Sequence, residues 1–124
     1  MSGLFLDPYV TAWSRAFALT LAIELAVAAP LLGLAEPSWR RRAALVALAN
    51  VASHPAVWFV FPALAVGQAW RLALSEAWAV MLEIGVYRLV VRELPMSRAV
   101  AASALANGAS LGLGLALRAA TGWV

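Results

Sequence analysis

Four long apolar stretches, separated by three short polar loops, constrain this chain more than any other feature of its sequence. They cover residues of about 11–34, 43–66, 69–91 and 99–117, and as helices they match a hydrocarbon core of about 30 Å. The chain is 65% hydrophobic and 12% charged, whereas a soluble domain averages about 45–50% and about 25%. We therefore predict an all-α, polytopic membrane protein with four transmembrane helices.

A seven-residue motif occurs twice with a single difference. Residues 47–53 read ALANVAS and residues 104–110 read ALANGAS, and each copy follows a glutamate, Glu24 or Glu83. This pattern predicts two tandem helical hairpins, at about 11–66 and 69–117, within a single transmembrane domain that spans residues 1–124. Chance repetition in a chain rich in Ala and Leu is the alternative.

The arginines predict the orientation, since all nine basic residues are Arg. Arg15, Arg71 and Arg118 lie on one side, and six flank the first and third loops: Arg40, Arg41, Arg42, Arg88, Arg92 and Arg98. The excess places these loops in the cytoplasm and both termini outside it. We predict a multi-pass protein of the bacterial inner (plasma) membrane. The arginines are interpreted as topology signals, so no nucleic-acid partner is expected.

Strongly polar residues from all four helices fall at similar depths. Counted at 1.5 Å per residue, they lie about 10–16 Å from the cytoplasmic helix ends. An ionisable group facing lipid at the bilayer centre costs at least about 2.5–3.5 kcal/mol. We therefore predict that these residues face one another and form a substrate- or ion-binding site. Its members are Glu24, Asn50, His54, Glu83, Asn107 and Ser110.

Three chemical interpretations fit this layer. In the first, the carboxylate and amide oxygens hold a hard divalent cation such as Mg²⁺, Ca²⁺ or Mn²⁺. Such a cation is the candidate cofactor. Glu24, Glu83 and His54 are the candidate metal ligands. In the second, the two carboxylates share a proton. In the third, His54 and a glutamate are the acid and base of an intramembrane enzyme.

Structural alternatives stand beside each of these. A Glu–Asn pair on neighbouring helices also joins helices by hydrogen bonding. His54 has Leu111 as its counterpart in the second hairpin, and a single histidine before a proline is also typical of a hydrogen-bonded packing residue. Glu76 has no counterpart, and we expect it either to face a vestibule or to pair with Arg71.

The favoured function is a small transporter or channel-like protein whose midplane site binds a cation or proton. A non-catalytic accessory subunit of a larger membrane complex is the alternative. An enzyme is less favoured, because the sequence lacks His-Glu-x-x-His, Gly-x-Ser-x-Gly and phosphate-loop motifs and contains no cysteine. Four short helices enclose little space, so the expected partners are the lipid bilayer and either further copies of the chain or another membrane subunit.

Overall fold

The computed structural model describes residues 7–33 and 35–122, which form four α-helices and one 3₁₀ turn and contain no strand. The predicted all-α fold class is therefore confirmed. The predicted end of the first span, residue 34, lies outside the described residues, as do residues 1–6, 123 and 124. The helices are α1 (Pro8–Leu32), α2 (Trp39–Phe59), α3 (Gln68–Val90) and α4 (Met96–Thr121), and the turn is Phe61–Ala63.

Local sequence signals explain where three of the helices begin or end. Asp7 caps α1 by accepting a hydrogen bond from the Tyr9 amide at 2.7 Å, and Pro8 occupies the first helical position. Ser38 caps α2 by accepting from the Arg41 amide at 3.4 Å. Gly122 ends α4 with a left-handed φ of 64°, which a glycine adopts without steric cost.

The second helix is shorter than predicted. We expected it to continue to about residue 66, but the α-helix ends at Phe59 and a 3₁₀ turn follows. Pro62 has no amide hydrogen, so it cannot donate to the carbonyl of Trp58 one turn earlier. That carbonyl instead accepts from the Tyr9 hydroxyl at 2.5 Å, which ties the end of α2 to the start of α1.

The four helices form a closed ring in chain order. Each helix packs against the two beside it, and α4 returns to pack against α1. Within the described residues, the backbones of the diagonal pairs, α1 with α3 and α2 with α4, do not approach each other closely. Side chains from all four helices can therefore meet along the central axis of the bundle.

Three of the helical segments are long and apolar enough to cross a membrane: Pro8–Leu32, Trp39–Ala63 and Met96–Thr121. The remaining helix, α3, has 23 residues and a length of about 35 Å. It carries four charged side chains, Arg71, Glu76, Glu83 and Arg88, and these lower its apolar character. Length and composition thus support a membrane protein.

Polar groups lie inside the bundle and large apolar side chains lie outside it. Glu24 and Glu83 are fully buried, whereas Met81 is 72% exposed and Leu89 is 81% exposed. An apolar core fills only the half of the bundle at the α1–α2 and α3–α4 loops, where Leu32, Tyr87 and Leu94 are among its largest members. The polar residues lie where this core ends.

Candidate functional site

The six residues predicted to form a site do come together. Each is buried, and all of them line one cavity in the half of the bundle that lacks an apolar core. Every helix contributes at least one of them, so the ring of helices creates the site. They are Glu24 from α1, Asn50 and His54 from α2, Glu83 from α3, and Asn107 and Ser110 from α4.

Each glutamate is hydrogen-bonded to the asparagine of the helix that follows it. Asn50 Nδ2 donates to Glu24 Oε2 at 2.5 Å, and Asn107 Nδ2 donates to Glu83 Oε2. The amide groups therefore present nitrogen rather than oxygen to the carboxylates. As held here, the asparagines are hydrogen-bond partners of the glutamates.

The two asparagines are held in the same way. The Nδ2 atom of Asn50 also donates to the Val46 carbonyl, and that of Asn107 donates to the Ser103 carbonyl, both at 2.9 Å. Of the two amide atoms only the nitrogen can donate to a carbonyl, so these bonds fix which amide atom faces the glutamate. Val46 and Ser103 are 57 residues apart, the same separation as the asparagines.

The two carboxyl groups differ in how many donors surround them. Glu83 accepts from Ser53 at 3.1 Å and from Ser103 at 3.2 Å in addition to Asn107. Glu24 Oε1, in contrast, is buried and has no hydrogen-bond donor among the described residues. The Glu83 carboxyl group is therefore fully held by its neighbours, and that of Glu24 keeps one free acceptor atom.

Ser53 and Ser103 were not among the predicted site residues. Ser53 follows Asn50 by three residues and Ser103 precedes Asn107 by four, so helical periodicity places each on the face of its asparagine. That spacing was the signal available in the sequence. Serines are common on the contact surfaces of membrane helices, and so the spacing alone does not single them out.

The carboxyl groups of Glu24 and Glu83 both line this cavity and are close enough to interact electrostatically. They come from α1 and α3, the diagonal helices whose backbones stay apart, so only the side chains reach the axis. Two neighbouring carboxylates repel each other unless a proton or a cation lies between them.

The cavity has a volume of about 250 Å³ and its lining extends from the glutamate pair toward the end of the bundle where α1 begins and α4 ends. The glutamate pair lies beside the apolar core. The cavity wall also includes Glu76, which is half-buried, and Arg118, which is exposed. Arg71 donates to the Leu64 carbonyl at 3.0 Å and does not pair with Glu76.

His54 lies in an aromatic cluster on the cavity wall. Its Nδ1 atom accepts from Trp13 Nε1 at 3.0 Å, and its ring packs edge-to-face against Phe17 at 5.3 Å. The Trp58 ring lies 6.5 Å away. This arrangement satisfies one ring nitrogen with an indole donor, as in the structural alternative described above.

No group of three or more His, Cys, Asp or Glu residues in ranges 7–33 and 35–122 is arranged to hold a metal ion. The glutamate pair supplies two carboxylates, and the Nδ1 lone pair of His54 is directed at Trp13.

Comparisons of the chain with protein-family models, with curated proteins and with solved structures find no match. Any functional conclusion therefore depends on the residues of the site.

Proposed function

We propose that the chain is a bacterial inner-membrane protein in which all four helices cross the bilayer. The exposed apolar and buried polar side chains support this proposal, because they reverse the usual pattern of a soluble bundle. The charges of α3 fit a spanning helix, since Glu76 and Glu83 line the cavity while Arg71 and Arg88 lie near its two ends. The arginine excess still favours cytoplasmic loops one and three.

The two hairpins are, in this proposal, a tandem duplication related by a rotation about the membrane normal. The support is the matching arrangement of the asparagines: each bonds the glutamate of the preceding helix and a carbonyl four residues earlier. A ring in which α1 corresponds to α3 and α2 to α4 also fits the observed packing.

The function that the site supports best is binding and transport of a proton or cation by the Glu24–Glu83 pair. One observation carries this proposal: two carboxyl groups from diagonal helices lie close together in the lining of one cavity. Hydrogen bonding between helices requires one carboxyl per asparagine. It requires neither two neighbouring carboxyls nor a cavity beside them.

The two carboxyl groups have different numbers of hydrogen-bond donors, and this difference gives each a separate role in the proposal. Glu83, with three side-chain donors, is arranged as the fixed carboxylate. Glu24 keeps an acceptor without a donor, so it carries the exchangeable proton and shares it with Glu83. A cation that enters through the cavity would take the place of this proton and hold both carboxylates ionised.

Thermal unfolding in detergent across pH tests this proposal. Loss of the shared proton leaves two facing negative charges, so the melting temperature should fall as pH rises. A cation that binds the pair should restore it at high pH, and Na⁺, Mg²⁺, Mn²⁺ and Ca²⁺ are the first to try. Glu83→Gln should remove both effects while leaving the fold intact, because Gln retains the shape and much of the hydrogen bonding.

Glu93→Gln is the matched control, since Glu93 is exposed in the α3–α4 loop and does not line the cavity. It should respond as the wild type does. A wild-type melting temperature that is constant across pH and every cation would reject the binding site. The glutamates would then only join the helices, as expected of an accessory subunit.

A further inference from the structure

The cavity is much larger than its carboxyl pair requires. Its volume of about 250 Å³ exceeds many times the roughly 10–15 Å³ that one water molecule needs by the same measure. A proton needs no cavity, and a bare metal ion would leave most of this space unfilled. The space therefore matches a ligand of several heavy atoms.

The charges of the cavity select a cation. Three carboxyl side chains, Glu24, Glu76 and Glu83, line it together with one guanidinium group, that of Arg118. Glu76 lies close enough to the pair to interact with both of its members electrostatically. Acidic groups in a low-dielectric pocket attract cations and exclude anions.

The apolar walls of the cavity favour a ligand that has a hydrocarbon part. Apart from its polar residues, the cavity is lined by aliphatic and aromatic side chains, which favour an apolar group over a hydrated metal ion. Within the described residues, moreover, no group of three or more His, Cys, Asp or Glu is arranged as a metal-binding cluster. The apolar lining includes Val57, Trp58, Leu72, Leu111 and Leu115.

The Glu24 oxygen without a donor favours a cation that carries an N–H group. Glu24 is fully buried and lines the cavity, and its Oε1 atom has no donor among the residues described. A buried acceptor without a donor is costly, so a ligand gains most by supplying an N–H group there. Because Oε1 is not exposed in this structure, the Glu24 carboxyl group must turn toward the cavity to accept that group. Quaternary ammonium ions carry no such donor.

We propose that this cavity binds a small primary ammonium ion with an apolar body, whose N–H group donates to Glu24 Oε1. The proposal deepens the function proposed above and rests on it. The ammonium group takes the place of the proton shared by Glu24 and Glu83, while Glu76 favours its entry and the apolar walls contact its hydrocarbon part. Binding of the ion and binding of the proton therefore exclude each other.

Isothermal titration of the detergent-purified full chain with four probes tests each part of this proposal. n-Butylammonium supplies charge, N–H donors and an apolar chain. Tetramethylammonium lacks the donors, Na⁺ lacks the apolar chain, and n-butanol lacks the charge. We expect n-butylammonium to bind at least about tenfold more tightly than any of the other three.

Variants identify the carboxyl group that recognises the ion. Glu24→Gln should weaken n-butylammonium binding by at least about tenfold, since a charge-assisted hydrogen bond is lost. The control Glu93→Gln should bind as the wild type does. If Glu24→Gln does not fold, the wild type alone still decides, because its affinity should fall as pH is lowered and the proton reoccupies the pair.

Several outcomes would overturn the inference. These are tetramethylammonium binding as tightly as n-butylammonium, undiminished binding by a folded Glu24→Gln, or wild-type binding that does not weaken as pH falls. If n-butylammonium does not bind but the melting temperature still depends on pH, the ammonium assignment fails and the proton site stands. If neither response is seen, both proposals fail.

Discussion

Glu24 and Glu83 occupy similar positions but depend on their neighbours to different degrees. Asn50 is the one side-chain donor to Glu24 within the described residues, whereas Glu83 keeps Ser53 and Ser103 if its asparagine is removed. The chain thus contains a well-supported carboxyl group beside a weakly supported one. In the proposed function, this difference is the reason for giving the exchangeable proton to Glu24.

The asparagine substitutions should therefore have unequal effects on stability. Asn50→Ala leaves Glu24 without a side-chain donor and should lower the free energy of unfolding by about 1–3 kcal/mol. Asn107→Ala should cost less, because two serine donors remain at Glu83. Reversible unfolding in mixed micelles measures both, with the exposed Leu105→Ala as a control for α4. Equal losses at the two asparagines would contradict the proposed division of roles.

For individual residues, the sequence predicts which side chains line the cavity better than it predicts their hydrogen bonds. A Glu, Asn or His that faces lipid costs much free energy, so depth in the membrane was enough to predict that these six residues face one cavity. The indole donor to His54 and the serines on Glu83 depend on side-chain positions across helices. Such long-range geometry has no local signature in the sequence.

In the first turn of α2, the Arg42 side chain makes a hydrogen bond to the end of α1. Arg42 Nη1 donates at 3.0 Å to the carbonyl of Ala29, near the end of α1. The Gly33 amide donates a hydrogen bond to the Pro30 carbonyl and not to the Ala29 carbonyl. A cationic side chain at the carboxyl end of a helix also interacts favourably with the helix dipole. Arg42 thus joins the start of α2 to the end of α1.

Replacement of these arginines should separate the structural role from the topological one. Arg42→Ala should lower the free energy of unfolding by about 1–2 kcal/mol, because it removes a charged donor from a helix carbonyl. Arg40→Ala is the matched control, since Arg40 is exposed and carries the same charge. Denaturation in micelles compares the two, and equal stabilities would show that Arg42 has no capping role.

The predicted spans are shorter than the helices at the capped ends, since α1 begins at Pro8, α2 begins at Trp39 and α4 ends at Thr121. The largest departure is at the end of α2, beside Pro62. The apolar run continues past this proline, so hydropathy alone extended α2 too far. Nothing in the local pattern indicated that the Tyr9 hydroxyl would take over the carbonyl of Trp58. That hydrogen bond joins residues 49 positions apart.

For the whole molecule, the cavity lies in one half of the bundle, so orientation decides which side of the membrane is nearer to it. The start of α1 and the end of α4 lie in the same half as the cavity. The arginine excess at the opposite end predicts that this half faces away from the cytoplasm. The ligand would then enter from outside.

Reporter fusions test this orientation. A fusion at residue 124 should report an extracytoplasmic location, and one within residues 36–42 a cytoplasmic one. A variant in which Arg40 and Arg41 are replaced by Ala should weaken this preference, because it reduces the charge that retains the loop. A cytoplasmic signal at residue 124 of the wild type would reverse the direction of entry without changing the site.

Infrared spectroscopy of the protein in lipid at pH 7 detects the exchangeable proton that Glu24 and Glu83 share in the proposed function. A protonated carboxyl group has a carbonyl stretch distinct from that of a carboxylate. The wild type and Glu93→Gln should show the band of one buried protonated carboxyl, and Glu24→Gln should lack it, because Glu83 keeps its donors and remains ionised. A wild-type spectrum without this band, or a band that persists unchanged in Glu24→Gln, would show that the pair shares no proton.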